Sequence, residues 1–115
     1  MEALGIEVEA LSPEVARLAL VVRPDQANLH GTAHGGLLYA LADAAFALIS
    51  NQGARAVALS TRIDYFRPVA VGTRVRAEAE PVHRGRKVAS YRVRLLADDR
   101  LVAQFVGTVF HLEEP

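Results

Sequence analysis

The chain has 115 residues, 51% of them hydrophobic and 23% charged, with thirteen basic residues against thirteen acidic ones. This is the length of one domain, spanning 1–115, with enough apolar content for a real core, so global disorder is excluded. A balanced charge leaves no basic field to neutralise phosphates, which argues against nucleic acid as a partner, and the absence of cysteine excludes disulfides, thiol nucleophiles and cysteine zinc sites.

In chain order, the opening MEALGIEVEALSPE lacks the basic start and apolar run of a secretory signal. Leu4 to Leu11 alternates, with Ile6, Val8 and Ala10 opposite Glu7 and Glu9, and predicts a half-buried strand. Ser12-Pro13-Glu14 predicts a turn, and Val15 to Val22 a second strand with Val15, Leu18, Leu20 and Val22 as its apolar positions. Pro24-Asp25 breaks regular structure, and Gln26 to Ala33 reads as a loop. His34 to Ser50 is rich in Ala and Leu without Pro and predicts a helix. Being apolar all round, that helix is expected to be enclosed by the rest of the protein. Asn51-Gln52-Gly53 predicts its end. The apolar run Leu37 to Ile49 contains Asp43 and falls short of the ~20 residues a bilayer span needs, so no membrane is expected and the cytoplasm is the expected location.

Four further strands are predicted at Ala56 to Phe66, Thr73 to His83, Lys87 to Ala97 and Leu101 to Leu112. Short turns such as Arg84-Gly85-Arg86 and Asp98-Asp99-Arg100 favour hairpins and an antiparallel sheet. Two strands, one buried helix and four strands predict an α+β fold in which one antiparallel sheet curls around a central helix. Lys87 is the only lysine among the thirteen bases, a compositional bias toward arginine.

The segment Asn28-Leu29-His30-Gly31-Thr32-Ala33-His34-Gly35-Gly36 feeds directly into the helix. Glycines at this junction let the unpaired first-turn amides face a ligand, an arrangement that polarises a carbonyl or holds an oxyanion; the alternative is that they only permit tight packing. Neither a phosphate loop nor a dinucleotide fingerprint is present, and His30 and His34 lack an obvious third metal ligand. Asp43 is the only ionisable group between His34 and Arg55. A carboxylate in an apolar run reads as a base or nucleophile, or alternatively as a group bonded to nearby backbone or Arg. Eight residues separate it from Gly35, about 12 Å along a straight helix and about 80° around it. The two therefore act on one substrate only if they come from different copies of the chain, which predicts a two-fold dimer with composite sites.

The pattern N-x5-HGG followed by L-x-D-x-A-F-A, from Asn28 to Ala47, resembles the hotdog-fold acyl-CoA thioesterases, most closely the PaaI-type enzymes of phenylacetic acid degradation. The likeness continues through ALSTRIDYFRPV and is compatible with GRKVASYRVRL. It implies a hotdog fold, no cofactor, and hydrolysis of (aryl-)acyl-CoA to free acid and coenzyme A. Asp43 would be general base or nucleophile, the Gly35 amide would polarise the thioester carbonyl beside Gly36, and Asn28 and His34 would shape the site. The resemblance also implies a homodimer, paired into a dimer of dimers, with coenzyme A along the interface. Either Ser60 or Thr61 would assist the attacking water. Arg62, Arg67, Arg84, Arg86 and Lys87 are the cations available to coenzyme A phosphates, with Arg67, Arg84 and Arg86 favoured. Tyr39, Phe46 and Tyr65 read first as core and second as acyl-pocket lining. The rival readings are a non-catalytic acyl-CoA sensor and an enoyl-thioester hydratase, the latter disfavoured because His34 and Asp43 lie about 180° apart on a helix.

Overall fold

Residue alternation in the second half of the chain builds the sheet. A computed structural model describes residues 2–113, so residues 1, 114 and 115 of the expected domain lie outside it. In β4 (Arg74–Arg84) Val75, Ala77 and Ala79 are completely buried, while Arg74, Arg76, Glu78 and Glu80 take the other face. β5 (Val88–Ala97) repeats the pattern with Tyr91, Val93 and Leu95 inside and Arg92 and Arg94 outside. Between β5 and β6 (Arg100–His111), Asp98 and Asp99 both take positive φ, 52° and 61°. This is the turn conformation that matches the twist of a two-residue hairpin.

With β1 (Glu7–Leu11), β2 (Ala16–Val21) and β3 (Ala56–Tyr65), the strands form one antiparallel sheet in the order β1-β2-β4-β5-β6-β3. The helix α1 (Gly35–Ser50) is wrapped by it, as the sequence pattern predicts. Most element ends fall one residue from their predicted positions. The first strand begins later than expected, because Glu2–Leu4 forms a 3-10 turn and Gly5 follows at φ +76°.

The helix packs Leu37, Leu38, Leu41, Ala45, Phe46 and Ile49 onto Leu18, Leu20, Val75, Val93 and Leu95. Phe46 is the largest buried side chain of the helix, meeting Phe105 at 5.3 Å and Tyr91 at 6.2 Å between ring centroids. Its ring occupies the space in front of Gly107, where a Cβ would fall 2.6 to 2.9 Å from it. Burying a side chain of this size stabilises the fold by about 1.5–3 kcal/mol.

One expectation needs correction. The helix is not enclosed: Gly36 and Ala47 are exposed, and Ala40 and Asp43 half-buried, in one stripe along its length. Hydropathy counts these glycine and alanine positions as apolar, but they carry too little side chain to distinguish a face packed on the chain's own sheet from one left open. The helix ends at Asn51-Gln52-Gly53 as expected, and it is not Gly53 that closes its last turn. Asn51 does so, its Nδ2 donating to the Ala47 carbonyl at 2.8 Å while its Oδ1 accepts the Ala56 amide at 2.8 Å. Among the described residues, no helix is long and apolar enough to cross a membrane.

Candidate active site at the start of the helix

The loop before α1 is fixed by amide side chains. Gln26 is buried; its Oε1 accepts the Arg23 amide at 2.9 Å, its Nε2 donates to the Leu4 carbonyl at 3.0 Å, and its own carbonyl accepts the His34 amide at 3.1 Å. Asn28 Oδ1 accepts three bonds, from the amides of His30 (2.9 Å) and Thr32 (3.2 Å) and from the Thr32 hydroxyl (3.1 Å). Gly31 supplies the positive φ of +75° that this tight turn requires. The Ala33 amide then donates to the Val69 carbonyl at 2.7 Å, tying the loop to the segment after β3.

The helix therefore starts at a fixed place, but it starts bare. His34 occupies the capping position with no side-chain cap, and the amides of Gly35 and Gly36 donate to no described acceptor. Unpaired first-turn amides and the positive end of the helix dipole suit a developing negative charge on oxygen. A cavity of about 340 Å³ opens here, lined among others by Asn28, Gly35, Leu38, Tyr65 and Arg67. Thus Asn28, Gly35 and Arg67 come together as site residues. His34 is exposed beside them.

Two tyrosines clasp this end of the helix to β3. The Tyr65 hydroxyl donates to the Gly35 carbonyl at 2.8 Å, and a Cβ on Gly35 would lie 3.2 Å from the Tyr65 ring. The Tyr39 and Thr61 hydroxyls are bonded at 2.8 Å. Burial first, and the nearby Tyr39 second, push the Tyr65 phenol above its ordinary pKa. Sequence reasoning assigned neither tyrosine this role. The available signal was parity: Tyr65 shares the helix-facing side of β3 with Ile63, whose partner Phe105 is core. Of the three aromatics read as core, Phe46 is fully buried, Tyr39 half-buried, and Tyr65 exposed with its hydroxyl on the helix.

The remaining candidates are sorted by position. Thr61 faces the helix through its bond to Tyr39, so adjacent Ser60 faces the opposite side of the sheet. Asp43 lies outside the cavity lining, half-buried on the open stripe of α1, and its carboxylate accepts no hydrogen bond from any described residue. The alternative of a bond to backbone or arginine is therefore not the one observed. Arg67 and Arg84 have no ion-pair partner among the described residues, whereas Arg62 is paired with Asp64 at 3.2 Å and Arg86 is also engaged. Arg84 lines a different cavity, of about 260 Å³, at the far end of the helix with Ser50, Tyr91 and His111. His30 and His34 belong to no group of three or more potential metal ligands among the described residues.

A profile of the thioesterase superfamily matches residues 30–104, from within the Asn28 loop to β6. The crystal structure of TT0310 protein from Thermus thermophilus superposes with a TM-score of 0.95 at 58% identity, covering 97% of this chain and 96% of that one. A mutant of the phenylacetic acid degradation protein PaaI from the same organism gives 0.95 at 57% identity, covering 97% of each chain. The acyl-coenzyme A thioesterase PaaI of Escherichia coli is 35% identical over 92% of this chain and 77% of its own length. The chain belongs to the thioesterase superfamily, a thioester hydrolase of hotdog fold with PaaI proteins among its relatives.

Proposed function

We propose that the protein hydrolyses acyl-CoA thioesters, aryl-acetyl and other medium-sized acyl groups foremost, at sites shared between two copies of the chain. The observation that carries this reading is the placement of Asp43. Its carboxylate is half-buried and accepts no bond among the described residues, on the open stripe of the helix with Gly36, Ala40 and Ala47, and absent from the cavity that holds Gly35. Eight residues of helix put it about 12 Å from the Gly35 amide. A second helix laid antiparallel along that stripe brings each Asp43 to the other's Gly35. The edge strand β3 supports the same assembly: it is ten residues long, exposes Val57 and Leu59, and has one side unpaired among the described residues. Such an edge is an invitation to pair with another strand. Two dimers then assemble into the proposed tetramer.

In this site the partner's helix end polarises the thioester carbonyl through the Gly35 amide, with Gly36 beside it leaving open space for the substrate. Asn28 holds the loop, and His34 borders the thioester. Asp43 activates water or attacks the carbonyl carbon directly, and the expelled thiolate leaves as coenzyme A. Thr61, on the helix side of β3 where Ser60 is not, holds the water in this reading. Arg67, Arg84 and Arg86 meet the nucleotide phosphates. The relatives named for phenylacetic acid degradation favour a phenylacetyl-type acid product, formed in the cytoplasm.

The test is thiol release from an acyl-CoA panel by the parent, Asp43→Asn and Asp43→Ala. We expect Asp43→Asn to fold and to dimerise like the parent while kcat falls about 10³-fold, the scale of a lost general base or nucleophile. Retained turnover removes Asp43 from the mechanism. Binding without thiol release by the parent indicates a sensor, and loss of enoyl absorbance without thiol indicates a hydratase.

A further inference from the structure

We propose that Tyr65 is a positioning residue for the oxyanion-binding end of α1, orienting the Gly35–Gly36 peptide so that the Gly36 amide becomes a second aimed donor beside that of Gly35. The inference rests on the function proposed above and extends it to a group outside the HGG segment. Its basis is the planarity of the peptide unit. The Gly35 carbonyl, which accepts the Tyr65 hydroxyl at 2.8 Å, and the Gly36 N–H are opposite ends of one rigid plane. Fixing the oxygen fixes the direction of the N–H.

The bond also acts on the donor electronically. Hydrogen bonds in a chain polarise one another, so a donor at the carbonyl makes the N–H across the same peptide a stronger donor. Both glycine amides lack a described acceptor, and a Cβ on Gly36 would meet nothing within 4 Å. Without the tyrosine, this plane would be held only by the helix's own bonding, in a first turn with no side-chain cap and two consecutive glycines. A Cβ on Gly35 would lie 3.2 Å from the phenol ring, so a side chain there shifts the ring by a few tenths of an ångström. A carbonyl oxygen can only accept, so in this bond the phenol hydroxyl is the donor. Tyr39 assists from the helix by its bond to Thr61, which ties β3 to α1 at a second point.

The experiment compares Tyr65→Phe, which keeps the ring and removes the hydroxyl, with the full-length parent in two measurements. With isotopically labelled glycine, the NMR spectrum reduces to the eight glycine amides. The Gly36 amide resonance is expected to move upfield in the variant more than any other glycine, without substrate present. In thiol release from phenylacetyl-CoA, kcat is expected to fall about three- to ten-fold, the worth of one hydrogen bond, with KM within about two-fold of the parent. An unmoved Gly36 resonance, an unchanged kcat, or a loss carried by KM overturns the proposal. If the parent itself releases no thiol, the acyl-CoA reading fails instead, and the resonance shift alone decides whether Tyr65 sets this peptide.

Discussion

The two ends of α1 are finished in opposite ways. At the C-terminal end, side-chain amides close the last turn: Asn51 and Gln52 donate to the carbonyls of Ala47 and Leu48, each at 2.8 Å, and Ser50 adds a bond to Ala47 at 3.3 Å. At the N-terminal end, the capping position holds a histidine with no side-chain cap, followed by two glycines whose amides are unpaired among the described residues. Every helix leaves such groups orphaned, and capping normally satisfies them at both ends. A chain that caps one end and bares the other gives up stability where the proposed chemistry takes place and recovers it at the opposite end. The loop that carries the bare end is itself among the most densely bonded in the molecule, through Gln26 and Asn28. Unpaired donors are thus held on a rigid mount.

The contrast is broken most severely at Gly35. Its backbone is helical, so alanine is conformationally acceptable and removes glycine's entropic penalty of about 0.5–1 kcal/mol. The new Cβ would, however, press on the Tyr65 ring at 3.2 Å and displace the bond that ring makes. Gly35→Ala is therefore expected to keep or slightly raise Tm while kcat falls about ten-fold, the loss expected when the Tyr65 bond is removed. Stability and turnover measured on one sample, moving in opposite directions, check it. Asn51→Ala attacks the other end and should do the reverse. Loss of its two bonds, to Ala47 and from Ala56, lowers stability by about 1–2 kcal/mol with kcat within about two-fold, as read by urea unfolding beside the thiol assay.

The smallest effect is expected away from both ends. Glu80 pairs with Arg92 across β4 and β5, and the side-chain hydrogen bond from Arg92 holds its carboxyl below the ordinary glutamate range. A carboxylate with a lowered pKa stabilises the fold above the pKa it has when unfolded, and that contribution is lost as pH falls through the lowered value. Glu80→Gln should leave Tm at pH 7 nearly unchanged and flatten its decline in acid, since the pair is exposed to solvent. A Tm profile that keeps its acid slope in the variant would assign that slope to other carboxylates.

Strand alternation made most of the fold legible. Val75, Ala77 and Ala79 against Arg74, Arg76 and Glu78 fix both the face and the parity of β4, and Asp98-Asp99 marks the hairpin that follows. The HGG segment and Asp43 were legible because glycines before a helix and an acid within an apolar run each conflict with local rules. The open stripe of α1 was not, because hydropathy does not count exposed alanines as missing contacts. Nor was the pairing of Tyr65 with Gly35, thirty residues apart, since a tyrosine on a strand reads equally as core or as surface. Choosing between Ser60 and Thr61 needed a strand register that the β3 irregularity between Ala58 and Ser60 obscures in sequence.

Gly107 sits in the middle of β6, where its missing side chain makes room for the Phe46 ring. That vacancy acts as a spacer gauge. The ring seats against bare strand, so the rod above it settles at one height, and the clearance beneath Tyr39 is inherited from the residue that faces Thr61 across the β3–β6 ladder. A methyl group added there would act as a shim, lifting the middle of the rod and tilting its bare tip together with its capped tail.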